Sequence, residues 1–379
     1  MRVLGIIAAS LICALANATE THPNITTSYG TLTLRDGIKL QTIVTKPAHA
    51  TGRLPAILFV QWLSCDSVAI SDHPRDGWSA MLKQIVRRSN ALVWRTEKRG
   101  IGASGGNCAT MDYDTELADH KQAFEQLKRR DDVDPNRIVI FGGSIGGTYA
   151  PLLAADQSVA GVMIWGAGAT TWTERMLEFE RNALELRGTP PEQLAREMTL
   201  RLQFFDRYLI GRQTPSQINS ADAAVGAVWS RIVGAAADGQ YGRPFAFHQQ
   251  AQRADWATAW SRVTSPVLAM YGEYDWFESR DATTLITRIV NAKSPGRGTY
   301  AEVPRMNHHF AEFTSAESAF AEKDSRVNPD PAVNVMLAWL EKIFARSSMA
   351  SARAVPLATI ASRTARCQPP CNTTDPAAT

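Results

Sequence analysis

The chain of 379 residues lacks a charge excess of either sign, with 40 Lys and Arg set against 37 Asp and Glu for a formal net charge of +3. No basic run is present that could follow a phosphate backbone, which argues against nucleic acid as a partner. Internal repeats are absent. Metal-ligand spacing is missing too: His308 and His309 are adjacent, with no HExxH pattern and no suitably spaced carboxylate, so neither a metal nor another cofactor is expected. Cysteine is scarce, at five. The apolar run VLGIIAASLICALA is somewhat short to span a bilayer. Led by Arg2 and followed by the small-x-small site Ala16-Asn17-Ala18, it reads as a secretory signal peptide over residues 1–18, with a membrane anchor as the alternative. Ile12 before Cys13 argues against a lipoprotein cleavage site. The expected product is exported, periplasmic or secreted, without stable membrane insertion. Export leaves Cys65, Cys108, Cys367 and Cys371, an even number that suggests disulfides in an oxidising compartment. Cys367 and Cys371 could bridge locally within CQPPC. Asn24 and Asn372 head glycosylation acceptor triplets, which carry meaning only in a eukaryotic secretory route.

At this length one large domain carrying an insertion is expected. Strand-like YGTLTLRDG and IKLQTIVTKPA flank the hairpin signal Asp36-Gly37. Beyond them, apolar runs alternate with helical segments: PAILFVQW, DGWSAMLKQIVRRSN, ALVWRTEKRG, DTELADHKQAFEQLKRR, RIVIFGG, IGGTYAPLLAAD and VAGVMIWGAG. This rhythm predicts an α/β fold with a mostly parallel central sheet flanked by helices. It breaks over residues 170–262, which read as a helical insertion between two core parts, 19–169 and 263–347. The alternation resumes with SPVLAMYGEYDW, DATTLITRIVNA, GTYAEVP and the helix PAVNVMLAWLEKIFA. Residues 348–379 read as a poorly ordered tail.

IVIFGGSIGG sets a serine between glycines where a buried strand turns into a helix. Gly142-Gly143-Ser144-Ile145-Gly146 fits G-x-S-x-G, a weak pattern alone but one whose required strand and helix are both predicted. The bland reading is a helix-capping serine. The chemical reading is a nucleophile at a helix N-terminus, where N–H groups favour developing negative charge. A serine nucleophile needs a base and an orienting carboxylate, and this turn demands them in the order Ser, acid, His. Asp275 follows one later strand and His308 the next, both at C-terminal ends, where open α/β sheets place their sites. Glu273 is the rival acid. His309 is the rival base, and adjacent residues in an extended segment point opposite ways, so only one can face Ser144.

On these residues the chain resembles an α/β-hydrolase, closest to the branch of serine aminopeptidases, prolyl-oligopeptidase-like hydrolases and related esterases, over about residues 31–347. The resemblance implies the α/β-hydrolase fold with a helical cap as the insertion. Ser144 would be nucleophile, Asp275 acid and His308 base. Many members carry His-Gly after the third strand, whereas this chain has Gln61-Trp62. By position, Leu63 and Ile145 would supply the two oxyanion N–H groups, and a backbone donor does not depend on its side chain. The family's strand order makes the third and fourth strands neighbours, which implies a Cys65–Cys108 disulfide, two buried thiols being the alternative. It also explains Gly100-Ile101-Gly102-Ala103-Ser104-Gly105 as a loop after the fourth strand. A dinucleotide fingerprint would need a helix opening on those glycines.

Trp62, Trp165, Trp172 and Trp276 fall near strand ends around Ser144 and are candidate walls of a substrate pocket, or core filler. Trp229, Trp256 and Trp260 in the insertion are further candidates. The expected activity is hydrolysis of a small ester or short-peptide amide through an acyl-enzyme. An aminopeptidase or dipeptidyl-type peptidase is the alternative, and it would need an acidic cluster for the substrate amine, for which Glu174, Glu178 and Glu180 are candidates. A non-catalytic binding protein on the same scaffold is the reading from another class.

Overall fold

The computed structural model describes residues 20–353. The proposed signal peptide, Cys367, Cys371 and Asn372 lie outside the described residues. The first hairpin pairs β1 (Ile25–Thr33) with β2 (Lys39–Pro47) antiparallel, Thr33 opposite Lys39, and Gly37 turns it at φ 84°. β3 (Leu54–Val60) leads through a loop to α1 (Gly77–Arg88), and β4 (Leu92–Thr96) to α2 (Tyr113–Lys128). β5 (Val133–Gly143), α3 (Gly146–Ala154) and β6 (Gly161–Trp165) complete the first half. The sheet resumes with β7 (Val267–Gly272) and β8 (Gly298–Val303).

Strand order is β1-β2-β4-β3-β5-β6-β7-β8, antiparallel on both sides of β2 and parallel elsewhere. This is the mostly parallel, helix-flanked sheet that the alternation predicts. β5 shows why its apolar run is continuous. Ile138 and Ile140 join the layer of Tyr149 and Leu153, whereas Val139 and Phe141 join the opposite layer of Leu82 and Met336. A strand covered on both faces has no polar side to offer.

Between β6 and β7 the chain forms α4 (Trp172–Leu186), α5 (Pro191–Phe205), α6 (Pro215–Ala221), α7 (Ala223–Gly226), α8 (Phe245–Ala251) and α9 (Trp256–Ser261). Their apolar faces merge with the layer of α3, and Trp256 and Trp260 are buried in that shared cluster. Both are core residues. The Trp256 indole N–H donates to the buried Tyr113 hydroxyl at 3.0 Å, which ties the segment to α2.

α10 (Arg280–Lys293), α11 (Ala316–Phe320) and α12 (Asp330–Arg353) finish the described chain. α12 continues six residues past the expected boundary at 347, into sequence read as tail; Ala, Met and Arg there are good helix formers. No described helix is long and apolar enough to cross a membrane.

The glycine-rich segment after β4 is a loop laid along β2. Gly105 N–H donates to Lys39 O at 2.8 Å, and a side chain at Gly102, φ 57°, would meet the Gln41 amide oxygen at 2.4 Å. α2 opens only at Tyr113, with Asp112 accepting from Thr115 N–H at 2.9 Å. The geometry of a dinucleotide fingerprint is not formed.

Candidate active site

Ser144 sits on the turn between β5 and α3 at φ 55°, a left-handed conformation that a non-glycine residue adopts at a cost of about 1–3 kcal/mol. Its N–H donates to Trp165 O, and its carbonyl accepts from Gly147 N–H, both at 2.8 Å. The flanking glycines are steric requirements. A Cβ at Gly146 would stand 2.0 Å from Val60 O, at Gly142 2.5 Å from Gly146 O, and at Gly143 2.7 Å from the Trp78 ring. The strand-to-helix turn is thus too tight for side chains on either side of Ser144.

The loops after β7 and β8 meet there. His308 Nδ1 and Asp275 Oδ2 are 2.7 Å apart, both residues are buried, and Asp275 Oδ1 accepts from the N–H groups of Phe277 and Glu278 at 2.9 and 3.2 Å. Those two bonds hold the carboxylate independently of the histidine. Glu273 turns elsewhere, accepting from Arg305 N–H at 2.7 Å. His309 lies edge-on to His308, and burial, then the neighbouring His308, lowers its pKa to about 4. Ser144, His308 and His309 open on one cavity of about 480 Å³, and Asp275 stands behind His308.

Several residues of this site carried no sequence signal. Gly166, φ 62°, follows β6, where a Cβ would stand 2.6 Å from His308 Cε1 and 3.0 Å from Asp275 Oδ2. Gly166→Ala should therefore displace the imidazole and lower kcat by about 10²-fold or more, read by steady-state kinetics beside a thermal melt. Asn307 Oδ1 accepts from His309 and Ala311 N–H at 2.9 and 3.0 Å and shapes the histidine turn. Phe277 and Trp78 pack on the His308 ring at 5.0 and 5.9 Å.

Of the four tryptophans proposed as walls, Trp62 and Trp172 line the cavity and two do not. Trp165 is fully buried, stacked on Phe310 at 4.4 Å, and its indole N–H donates to His308 O at 3.0 Å. As the last residue of β6 it points into the layer of α1 and α12. Trp276 stacks behind the wall on Phe277 and Phe179 at 4.1 and 5.0 Å. Trp229 lines a separate hollow. The acidic candidates also lie elsewhere: Glu174 closes the capping box of α4, Glu180 pairs with Arg201 at 2.9 Å, and Glu178 does not line the cavity.

Leu63 and Ile145 both line the cavity, and among the described residues neither N–H has a backbone acceptor. The loop carrying Leu63 is tightly held. Lys98 Nζ donates to the carbonyls of Trp62, Leu63 and Ser64 at 2.5, 2.9 and 3.0 Å and faces Glu116 at 3.2 Å. Burial lowers the Lys98 pKa to about 8. Glu116 is also buried, which alone would raise its pKa, yet Lys98 and Arg243 bring it down to about 2. Cys65 and Cys108 form a disulfide with Cα atoms 5.8 Å apart, and Arg243 bonds both Cys108 Sγ, at 2.9 Å, and the Glu116 carboxylate.

The prolyl oligopeptidase family model matches residues 107–210. A stretch of 77 residues is 30% identical to the alpha/beta hydrolase domain-containing protein WAV2 of Arabidopsis thaliana, covering 20% of this chain and 24% of that protein. The match thus spans about a quarter of that relative's length. Two solved structures are similar in fold at low identity. The alpha/beta hydrolase GrgF from Penicillium sp. sh18 has a TM-score of 0.51 at 16% identity, and Est1E from Butyrivibrio proteoclasticus 0.51 at 14%. Each comparison covers 84% of this chain and 99% of the other.

Proposed function

We propose that this chain is a serine hydrolase of the α/β-hydrolase superfamily, on its prolyl-oligopeptidase-like branch, acting on a small carboxylic ester. One observation carries the reading. A serine held at positive φ on a strand-to-helix turn opens on the same cavity as a histidine whose far nitrogen is bonded to a buried aspartate.

In this mechanism Asp275 holds Nδ1 and leaves Nε2 of His308 to take the Ser144 proton as Oγ attacks the carbonyl. The N–H groups of Ile145 and Leu63 stabilise the oxyanion. Collapse expels the alcohol, protonated by His308, and leaves an acyl-enzyme. Water, deprotonated by the same histidine, then releases the acid. Residues 170–262 act as a cap, since α4 contributes Trp172, Arg175, Met176 and Phe179 to the cavity wall. A volume of about 480 Å³ suits a small molecule rather than a folded protein. Ester is favoured over aminoacyl amide because none of the three candidate glutamates reaches the cavity, and the two aspartates that line it are already engaged, Asp76 capping α1 through Ser79 N–H and Asp66 accepting from the Ser64 hydroxyl. The disulfide suits export to an oxidising compartment.

A fluorophosphonate probe should label the wild type and leave Ser144→Ala unlabelled. Equal labelling of both, or of neither, would sink the nucleophile assignment. A panel of acyl esters against aminoacyl amides then reads the preference, with esters expected to turn over faster.

A further inference from the structure

Four arginines of the described chain are nearly or fully buried: Arg95, Arg201, Arg243 and Arg175. Burying a guanidinium without partners is expensive, and three of the four make hydrogen bonds, although Nε of Arg95 and of Arg243 is left without one. Arg95 gives two bonds to Glu20 and one to Val68 O. Arg201 bonds Glu180, Glu197 and the Arg231 carbonyl. Arg243 bonds Cys108 and Glu116. Arg175 differs. Its Nε lies 3.2 Å from Glu278 Oε2 without hydrogen-bond alignment, its Nη1 is buried without a partner, and it is the one of the four that lines the cavity beside Ser144.

Two more polar groups of the same wall lack partners. Trp172 Nε1, one turn before Arg175 on α4, and Tyr241 Oη are both buried and unbonded. The Arg175 guanidinium lies 5.4 Å from the Trp172 ring, so these two are already associated. Tyr241 is held at φ 54°, an uncommon strain for an aromatic residue, and its ring fills the space over Gly234, where a Cβ would stand 2.2 Å away. Indole and guanidinium N–H groups only donate. A phenol whose proton burial holds well above its ordinary range also donates. Three residues whose buried donors lack a hydrogen-bond partner, one of them cationic and facing only the Glu278 carboxylate, therefore stand together along one side of a cavity that elsewhere also holds Asp66, Arg75 and Asp76.

We propose that Arg175, Trp172 and Tyr241 form a subsite for a carboxylate on the substrate, so that the enzyme acts on esters that also carry a free acid group. This rests on the ester-hydrolase reading and names its substrate class. A guanidinium matches a carboxylate in shape and charge, whereas a neutral acyl chain would leave three buried donors unpaired.

The test compares 4-nitrophenyl half-esters of succinic, glutaric and adipic acid with neutral 4-nitrophenyl esters of equal acyl length. The wild type should favour at least one half-ester in kcat/KM by about ten- to a hundredfold. Arg175→Gln, which keeps hydrogen-bonding capacity toward Glu278, should bring that ratio near one chiefly through KM, and Tyr241→Phe should lower it in part. Arg175→Lys, retaining the charge, should recover some of it. Calorimetry with glutarate on Ser144→Ala reads the subsite without turnover, and binding should vanish in the Arg175→Gln/Ser144→Ala double variant. A wild-type ratio near one without glutarate binding, or a ratio unchanged by Arg175→Gln, overturns the subsite while Ser144 labelling stands. Glutarate binding through Arg175 in a protein whose Ser144 takes no probe would keep the subsite and defeat the hydrolase reading instead.

Discussion

Replacing His308 by alanine should lower kcat for a simple ester by about 10⁴- to 10⁶-fold, whereas His309→Ala should cost less than about tenfold. The two are neighbours on one loop, but their chemistry differs. His308 has its Nδ1 bonded to Asp275 at 2.7 Å, which fixes the tautomer and leaves the other nitrogen free toward the cavity. His309 has no carboxylate partner, and with its pKa lowered to about 4 it is neutral through the assay range and contributes a ring to the wall. Asp275→Asn should fall about 10⁴-fold, because the amide can favour the wrong tautomer while the loop keeps its shape. Glu273→Gln, whose carboxylate bonds Arg305 N–H instead, should stay near wild type. Steady-state kinetics on the four variants, each checked by thermal melt, separates the alternatives. Loss of turnover in His309→Ala and not in His308→Ala would reverse the assignment.

What could be read in advance follows from how local the constraints are. The elbow was legible because Gly142 is demanded by the backbone of Gly146 only four residues on, although Gly146 itself is demanded by Val60 on the neighbouring strand β3. Asp275 and His308 were legible because each follows its own strand, the buried β7 and the edge strand β8, and the parallel pairing of the two brings their ends together. A strand end does not, however, reveal which layer its last side chain enters. Trp165 therefore joined the core under His308 rather than the cavity wall. Trp78 lay in an ordinary amphipathic helix, and only the bare Gly143 opposite it makes room for its ring beside the site. Arg175 and Lys98 were invisible for a related reason. A charged residue in a sequence is read as solvated, and only the fold can bury it.

Lys98→Met should lower kcat by about 10²- to 10³-fold with a smaller change in KM, and it should cost about 3 kcal/mol of stability. The carbonyls of three successive residues, Trp62, Leu63 and Ser64, turn toward one ammonium. Holding those peptide units fixes where their N–H groups point, and the Leu63 N–H is the proposed second oxyanion donor. Glu97, the preceding residue, grips the same loop through Val68 N–H at 3.0 Å and the Ser67 hydroxyl, so the loop should remain folded but lose aim when Lys98 is removed. The pH dependence distinguishes aim from mere stability. An ammonium has three N–H donors for three carbonyls, and an amine has two. Lys98 should therefore release part of its grip as pH rises through about 8, and wild-type kcat should decline there. Stability should move the other way. Below about 8 the folded chain bears the cost of a buried charge. Between about 8 and the ordinary value of 10.5 the unfolded chain still holds the proton that the folded one has lost, so this group's contribution to stability rises with pH. The alkaline decline should be missing from the residual activity of Lys98→Met. A decline of equal size in that variant, or a wild-type kcat flat from pH 7 to 10, would mean that the lysine supports the fold without positioning the donor.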